Sequence, residues 1–194
     1  MFSFIQGDFD EINPTYVVIN CNNIGYILNI SLYTYDKIKD LKQGRLYTHL
    51  VVREDSMTLY GFADKQERKI FSYLISVSGV GANTARLILS SLSPFDVVSA
   101  IVDENVNFLK SVKGIGNKSA QRIIIDLKDK LMKEDIAKEN LGLLHNTKIN
   151  EALSGLIMLG FNKKPAEKIL NKIFHEKGAS LSVEDLIKEA LKVL

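Results

Sequence analysis

Two short glycine bends are the residues best suited to chemistry in this 194-residue chain. Gly79-Val80-Gly81-Ala82-Asn83-Thr84 and Gly114-Ile115-Gly116-Asn117-Lys118-Ser119 lie 35 residues apart. Around them YLISVSGVGANTARLILSSL, from Tyr73, aligns with FLKSVKGIGNKSAQRIIIDL, from Phe108, with eight of twenty positions identical. Each copy reads as a helix end, a Gly-x-Gly turn and a second helix that opens on small polar or basic residues, which is a helix-hairpin-helix pattern. Glycine lacks a β-carbon, so the main chain can take positive φ and come close to a ligand, while the first N–H groups of the next helix have no partner inside it. Such an end attracts phosphate. Lys118 and Arg122, one helical turn apart, add cations beside the second bend. The expected contact set is Gly79, Val80, Gly81, Asn83, Thr84, Gly114, Ile115, Gly116, Asn117, Lys118, Ser119 and Arg122. Phosphate contacts position a protein without reading bases, so binding through this set ignores sequence.

Other readings of these residues fail on spacing. A Walker A loop needs G-x-x-x-x-G-K-S/T, which neither bend satisfies, so ATP hydrolysis is not expected. A dinucleotide fingerprint needs a third glycine and a preceding strand, whereas both bends follow helices. The plainer alternative, that the glycines only make tight turns between helices, fits one copy well and the duplication poorly. Asp126, ten residues after Gly116, could suggest a hairpin-bearing nuclease or glycosylase, yet no His, Cys or carboxylate cluster stands with it in the sequence. Three scattered histidines (His49, His145, His175) and a lone Cys21 offer neither a metal set nor an internal disulfide, so no metal or other cofactor is expected.

The elements that must carry the bends divide the chain. Residues 1–62 alternate with period two: Phe2–Ile5, Tyr16–Asn22, Tyr26–Ile30, Arg45–Val52 and Met57–Phe62 read as five strands. A flat sheet of that size would expose long edges, so an OB-like barrel is expected. At Asp64 the period becomes helical. Asp64 with Glu67 resembles a capping box, and Ile70, Phe71, Leu74 and Ile75 form one face. Ser93-Pro94 is a cap with a first-turn proline, and Ala120, Ile123, Ile124, Leu127 and Leu131 make a stripe. Residues 63–133 thus read as a helical tandem-hairpin domain. Residues 134–147 lose periodicity and read as a flexible linker. Residues 148–194 read as three short helices: around Asn150–Met158, from near Pro165, and after Ser182 with Asp185.

The strand and helix patterns make this a multidomain α+β protein, and its composition is that of an ordinary soluble globular one. Hydrophobic residues make up 46% and charged residues 25%, and no apolar run reaches the ~20 residues a bilayer crossing needs. A cytosolic protein is expected. Net charge is only +2, too small to draw the whole molecule onto a polyanion, so any nucleic-acid contact must be local.

The sum of these features resembles the RuvA family. The resemblance rests on Thr48-His49-Leu50-Val51-Val52-Arg53-Glu54-Asp55 with Leu59-Tyr60-Gly61-Phe62, on Lys65-Gln66-Glu67-Arg68, on both hairpins, and on Glu151-Ala152-Leu153 through Leu159-Gly160-Phe161. It implies a non-catalytic subunit that binds the four-way Holliday junction as a flat homotetramer and presents it to the RuvB ATPase motor for branch migration. The tail is then a UBA-like three-helix unit that docks on the motor, with Leu156, Leu159 and Phe161 as the expected docking side chains. A core role for those three is equally open on their chemistry alone. Glu54 and Asp55 become an acidic pin at the tetramer centre, whereas without the resemblance Glu-Asp-Ser is simply a soluble turn. Partnership with the RuvC resolvase, and whether a second tetramer completes an octamer on the junction, stay open. In one place the sequence departs from the family: the first bend has Ala82-Asn83-Thr84 where members often have Pro-Lys, so it lacks that cation. In another, Phe2-Ser3-Phe4 stands where an apolar-Gly-Arg start is common.

Overall fold

The computed structural model describes residues 2–133, 151–162, 165–166, 168–170, 173 and 182–193. The linker expected at 134–147 lies outside the described residues. Two compact units are present, Met1–Glu134 and Asp135–Leu194. Among the described residues no single helix is long and apolar enough to cross a membrane.

The first unit opens with five strands, β1 (Phe4–Asn13), β2 (Tyr16–Cys21), β3 (Ile24–Asn29), β4 (Gln43–Val52) and β5 (Met57–Phe62). They close as β1-β2-β3-β5-β4 into a barrel, with β3 and β5 parallel and the other pairs antiparallel. Closure leaves no free edge, which is the physical reason strands this short favour a barrel. Ile5, Val17, Ile19, Leu28, Ile30 and Leu46 fill the interior. Two features differ from the sequence expectation. β1 runs eight residues past Ile5, to Asn13, and a helix, α1 (Leu32–Ile38), is inserted between β3 and β4.

Five helices follow: α2 (Lys65–Ser76), α3 (Ala82–Ser91), α4 (Pro94–Val102), α5 (Val106–Lys110) and α6 (Asn117–Lys133). Their starts obey local rules. Asp64 caps α2 by accepting the Glu67 N–H at 2.7 Å, and Ser93 and Asp96 form a complete capping box with Pro94 in the first turn of α4. The stripe Ala120, Ile123, Ile124, Leu127 and Leu131 is buried as its spacing predicts. Phe71 of α2, fully buried, fastens helices to barrel through the rings of His49, Tyr60 and Phe62 at centroid distances of 5.5, 5.0 and 4.8 Å. α3 is tied to the barrel and to α1 as well: Tyr60 Oη donates to Asn83 Oδ1 at 3.1 Å, Arg86 Nη1 to the Ile30 carbonyl at 3.2 Å, and the Leu32 N–H at the start of α1 to Ser90 Oγ at 3.1 Å. α6 packs instead mainly on α4 and α5.

Glu67 completes only part of the expected capping box, because its carboxylate turns inward. Fully buried, it accepts from the Ser31 and Thr34 hydroxyls and from the Ala63 N–H at 3.2 Å, which stitches α1 to the start of α2. Burial pushes its carboxyl up to about 7, against the opposing pull of the Ser31 and Thr34 hydroxyls. The folded chain therefore holds this proton more tightly than the unfolded chain. The stabilisation is complete at acid pH below the ordinary carboxyl value and is lost as pH rises through about 7, a loss of about 3 kcal/mol. Glu67→Gln keeps the contacts without the titration, so the wild type should lose ground against Glu67→Gln between pH 5 and pH 8 in urea melts. Parallel pH curves for the two proteins would show that this carboxyl does not carry the effect.

In the second unit, helical residues fall at 151–158, within 165–173, and at Val183–Leu191. Ser182 caps the last stretch by accepting the Asp185 N–H at 3.1 Å. Ala152, Leu153, Leu156, Ala166, Leu170, Ile173, Leu186 and Ala190 form a core of their own.

Candidate nucleic-acid interface

The two bends are built alike to the level of single hydrogen bonds. In the first, the Val80 N–H donates to the Val77 carbonyl at 3.0 Å, and the first bond inside α3 runs from Ala85 N–H to Gly81 at 2.9 Å. In the second, Ile115 N–H donates to Val112 at 3.0 Å, and Ala120 N–H to Gly116 at 3.0 Å. Gly79 and Gly114 hold φ of +89° and +93°, a region that favours glycine. Gly81 caps α3 at φ −81° with no side-chain cap. The N–H groups of Ala82, Asn83 and Thr84, and of Asn117, Lys118 and Ser119, precede those first helical bonds and are the donors a phosphate would meet.

Space around the bends sharpens this reading. A β-carbon added at Gly79, Gly81, Gly114 or Gly116 would meet nothing within 4 Å. At Gly79 and Gly114 the dihedral explains the glycine. At Gly81 and Gly116 neither dihedral nor neighbour demands one, so the open side of these residues is free for a ligand.

Val80 and Ile115 lie inside the bends. Both side chains are buried and both N–H groups donate within the turn, which holds the bend in shape. Asn83 is exposed, but its Oδ1 already accepts from Tyr60, which leaves the amide N–H groups to offer. Thr84 and Ser119 are half-buried, and Asn117, Lys118 and Arg122 are exposed. Lys118 and Arg122 have no ion-pair partner among the described residues. Asp126, half-buried on α6, belongs to no group of His, Cys, Asp and Glu able to hold a metal among the described residues.

Glu54 and Asp55 sit exposed at the tip of the β4–β5 hairpin, closed by the Arg53 N–H donating to the Ser56 carbonyl at 2.8 Å. In the tail the expected docking trio separates. Leu156 is 0% exposed and belongs to the core, and Phe161 packs on the same core. The cause is a Schellman ending: Gly160, at φ +94°, donates to the Ile157 carbonyl at 2.9 Å and Phe161 to the Leu156 carbonyl at 3.0 Å, a geometry that brings these two apolar side chains together. Leu159, at 61% exposure, stays outside with Met158, at 89%, which sequence reasoning missed. The Gly160 signal was present in the sequence and could have sorted them.

A closed OB-type barrel fused to a duplicated helix-hairpin-helix, followed by a small helical unit, defines a class of multidomain α+β proteins. Family models match in the same order: RuvA N terminal domain at residues 1–61, SAM-like Helix-hairpin-helix tandem at 71–129, and RuvA, C-terminal domain at 147–194. The chain is 54% identical over 194 residues to a protein of Christiangramia forsetii, 49% over 195 residues to one of Flavobacterium psychrophilum, and 48% over 202 residues to one of Bacteroides thetaiotaomicron. Each match covers both chains in full, and each relative is named Holliday junction branch migration complex subunit RuvA. The chain belongs to the RuvA family.

Proposed function

We propose that this protein is the subunit of a branch-migration complex that binds Holliday junction DNA by structure and not by sequence. One observation carries the reading: two bends of matching geometry, each offering unspent helix-start N–H groups at an open glycine. Four copies arranged as a homotetramer meet the four arms of the junction with the same pair of phosphate sites, and multiplied weak contacts hold only when all arms are present. Contacts come from the N–H groups around Gly81 and Gly116, from the Asn83 amide, and from Lys118 and Arg122, with Thr84, Asn117 and Ser119 at the same helix starts. The subunit itself carries out no catalysis. It works in the cytoplasm and presents the junction to a separate ATPase motor of the RuvB type. The test is a mobility shift of four-way against linear DNA at equal length, run beside native mass measurement. Equal affinity for both, or a monomer that binds as well as any assembly, would refute the reading.

In that assembly the Glu54 and Asp55 tips gather four times and make a negative focus that turns separated strands away from the crossover. Glu54→Gln with Asp55→Asn should therefore keep or tighten junction binding and change the branch-migration rate. Weaker binding by the doubly neutral protein would contradict the pin role.

A further inference from the structure

The first bend is short of positive charge. Where the second hairpin carries Lys118 and Arg122, the 35-residue offset places Asn83 and Leu87, and Arg86, the one cation of α3, is turned to the Ile30 carbonyl. Cations gather instead along α2. A groove of about 670 Å³ is lined by Lys65, Arg68 and Lys69 of α2 and Lys130 of α6, with Ser72 and Ser76 among its walls and no carboxylate in its lining. The α2 residues recur at three- and four-residue spacing, so they share one face. The face opposite, with Glu67, Ile70, Phe71 and Leu74, is the buried one.

The charges are partly held in place. Arg68 donates to the Ser3 carbonyl at 2.9 Å, and its guanidinium lies 5.5 Å from the centre of the Tyr47 ring, with the Lys65 ammonium at 5.8 Å from the same ring. Side chains ordered beforehand cost less to fix on a ligand. Position selects the ligand. From Lys65 to Ser76 the groove face extends about 16 Å along the helix. Ser76 stands three residues before Gly79, within about 11 Å by chain length. The groove therefore ends beside the bend whose donors favour phosphate, and a stretch of several nucleotides at ~3.4 Å rise would follow it.

We propose that this α2–α6 groove binds one sugar-phosphate strand of a duplex arm next to the first bend and supplies the cations that bend lacks. The inference rests on the junction-binding reading above. Its test compares Lys65→Gln/Lys130→Gln with Lys118→Gln/Arg122→Gln in anisotropy titrations of four-way DNA across a salt series, using the full chain and checking both variants by thermal melting. Two phosphate contacts removed per subunit should make the slope of log affinity on log salt shallower by about 1.8 for each subunit engaged, with binding at 0.1 M salt about sixtyfold weaker for each. A groove variant with wild-type affinity and slope, beside a hairpin variant that loses both, overturns the groove and leaves the junction reading standing; that result also covers the case of an acidic protein segment as the true occupant. Wild-type behaviour in both variants overturns the two together.

Discussion

Gly81→Ala combined with Gly116→Ala should weaken four-way junction binding about a hundredfold while leaving the melting temperature within a few degrees of wild type. The added methyl groups meet no atom of the protein within 4 Å, and neither residue sits at positive φ, so the fold loses little beyond a modest N-cap preference. Each methyl stands on the open side of the bend, where a phosphate oxygen must come to hydrogen-bond distance of the N–H groups. Losing about one charge-assisted bond per bend costs roughly tenfold, and two bends compound to about a hundredfold before any loss of avidity. Gly79 and Gly114 are poorer probes, because at φ of +89° and +93° any side chain strains the turn itself. Fluorescence anisotropy with a labelled junction measures the effect. Wild-type affinity in the double variant would remove the main support for phosphate capture at the bends.

The second large effect is expected from the tail. In the reading proposed above, a chain ending at residue 147 should bind the junction within about twofold of wild type and lose all stimulation of a RuvB-type ATPase. The first unit has its own barrel and helical core, and the tail has a separate core around Leu153, Leu156 and Leu186. Point variants refine the prediction. Met158→Asp with Leu159→Asp changes exposed side chains and should reproduce the loss of stimulation in a folded tail. Leu156→Asp would place a charge in the core and unfold the tail. Coupled ATPase assays, read beside circular dichroism of the tail, separate the two. Full stimulation from the Met158/Leu159 variant would move the docking surface elsewhere.

Much of this architecture is legible in the residues. Period-two alternation exposes the strands of the barrel, and the spacing of the α6 stripe alone declares which face of that helix is buried. What stays hidden is non-local or locally ambiguous. α1 is rich in aromatic and β-branched residues (Tyr33, Thr34, Tyr35), poor helix formers that its Ser31 cap and buried Ile38 overrule. The outer half of β1 carries Asp8, Asp10 and Glu11, whose polarity masks a strand. Glu67 reads as a capping residue because its real partners, Ser31 and Thr34, are 36 and 33 positions away. The bends themselves are visible through their duplication, yet the roles inside them are not. Val80 and Ile115 stand between the glycines of each motif, and only three dimensions show that their side chains are buried and their N–H groups are used within the turn. The cationic groove is concealed for the same reason, since Lys130 joins Lys65 from a helix formed much later in the chain.

The hydrogen bonds that tie α3 to the barrel and α1 give the two halves of the tandem different mountings. Tyr60, Ile30 and Leu32 all grip the helix behind the first bend, whereas the second bend leads into a helix seated mainly on other helices. In the junction-binding reading proposed above, a load on the first bend would pass through these three bonds into the barrel and α1, whereas a load on the second would pass into α4 and α5.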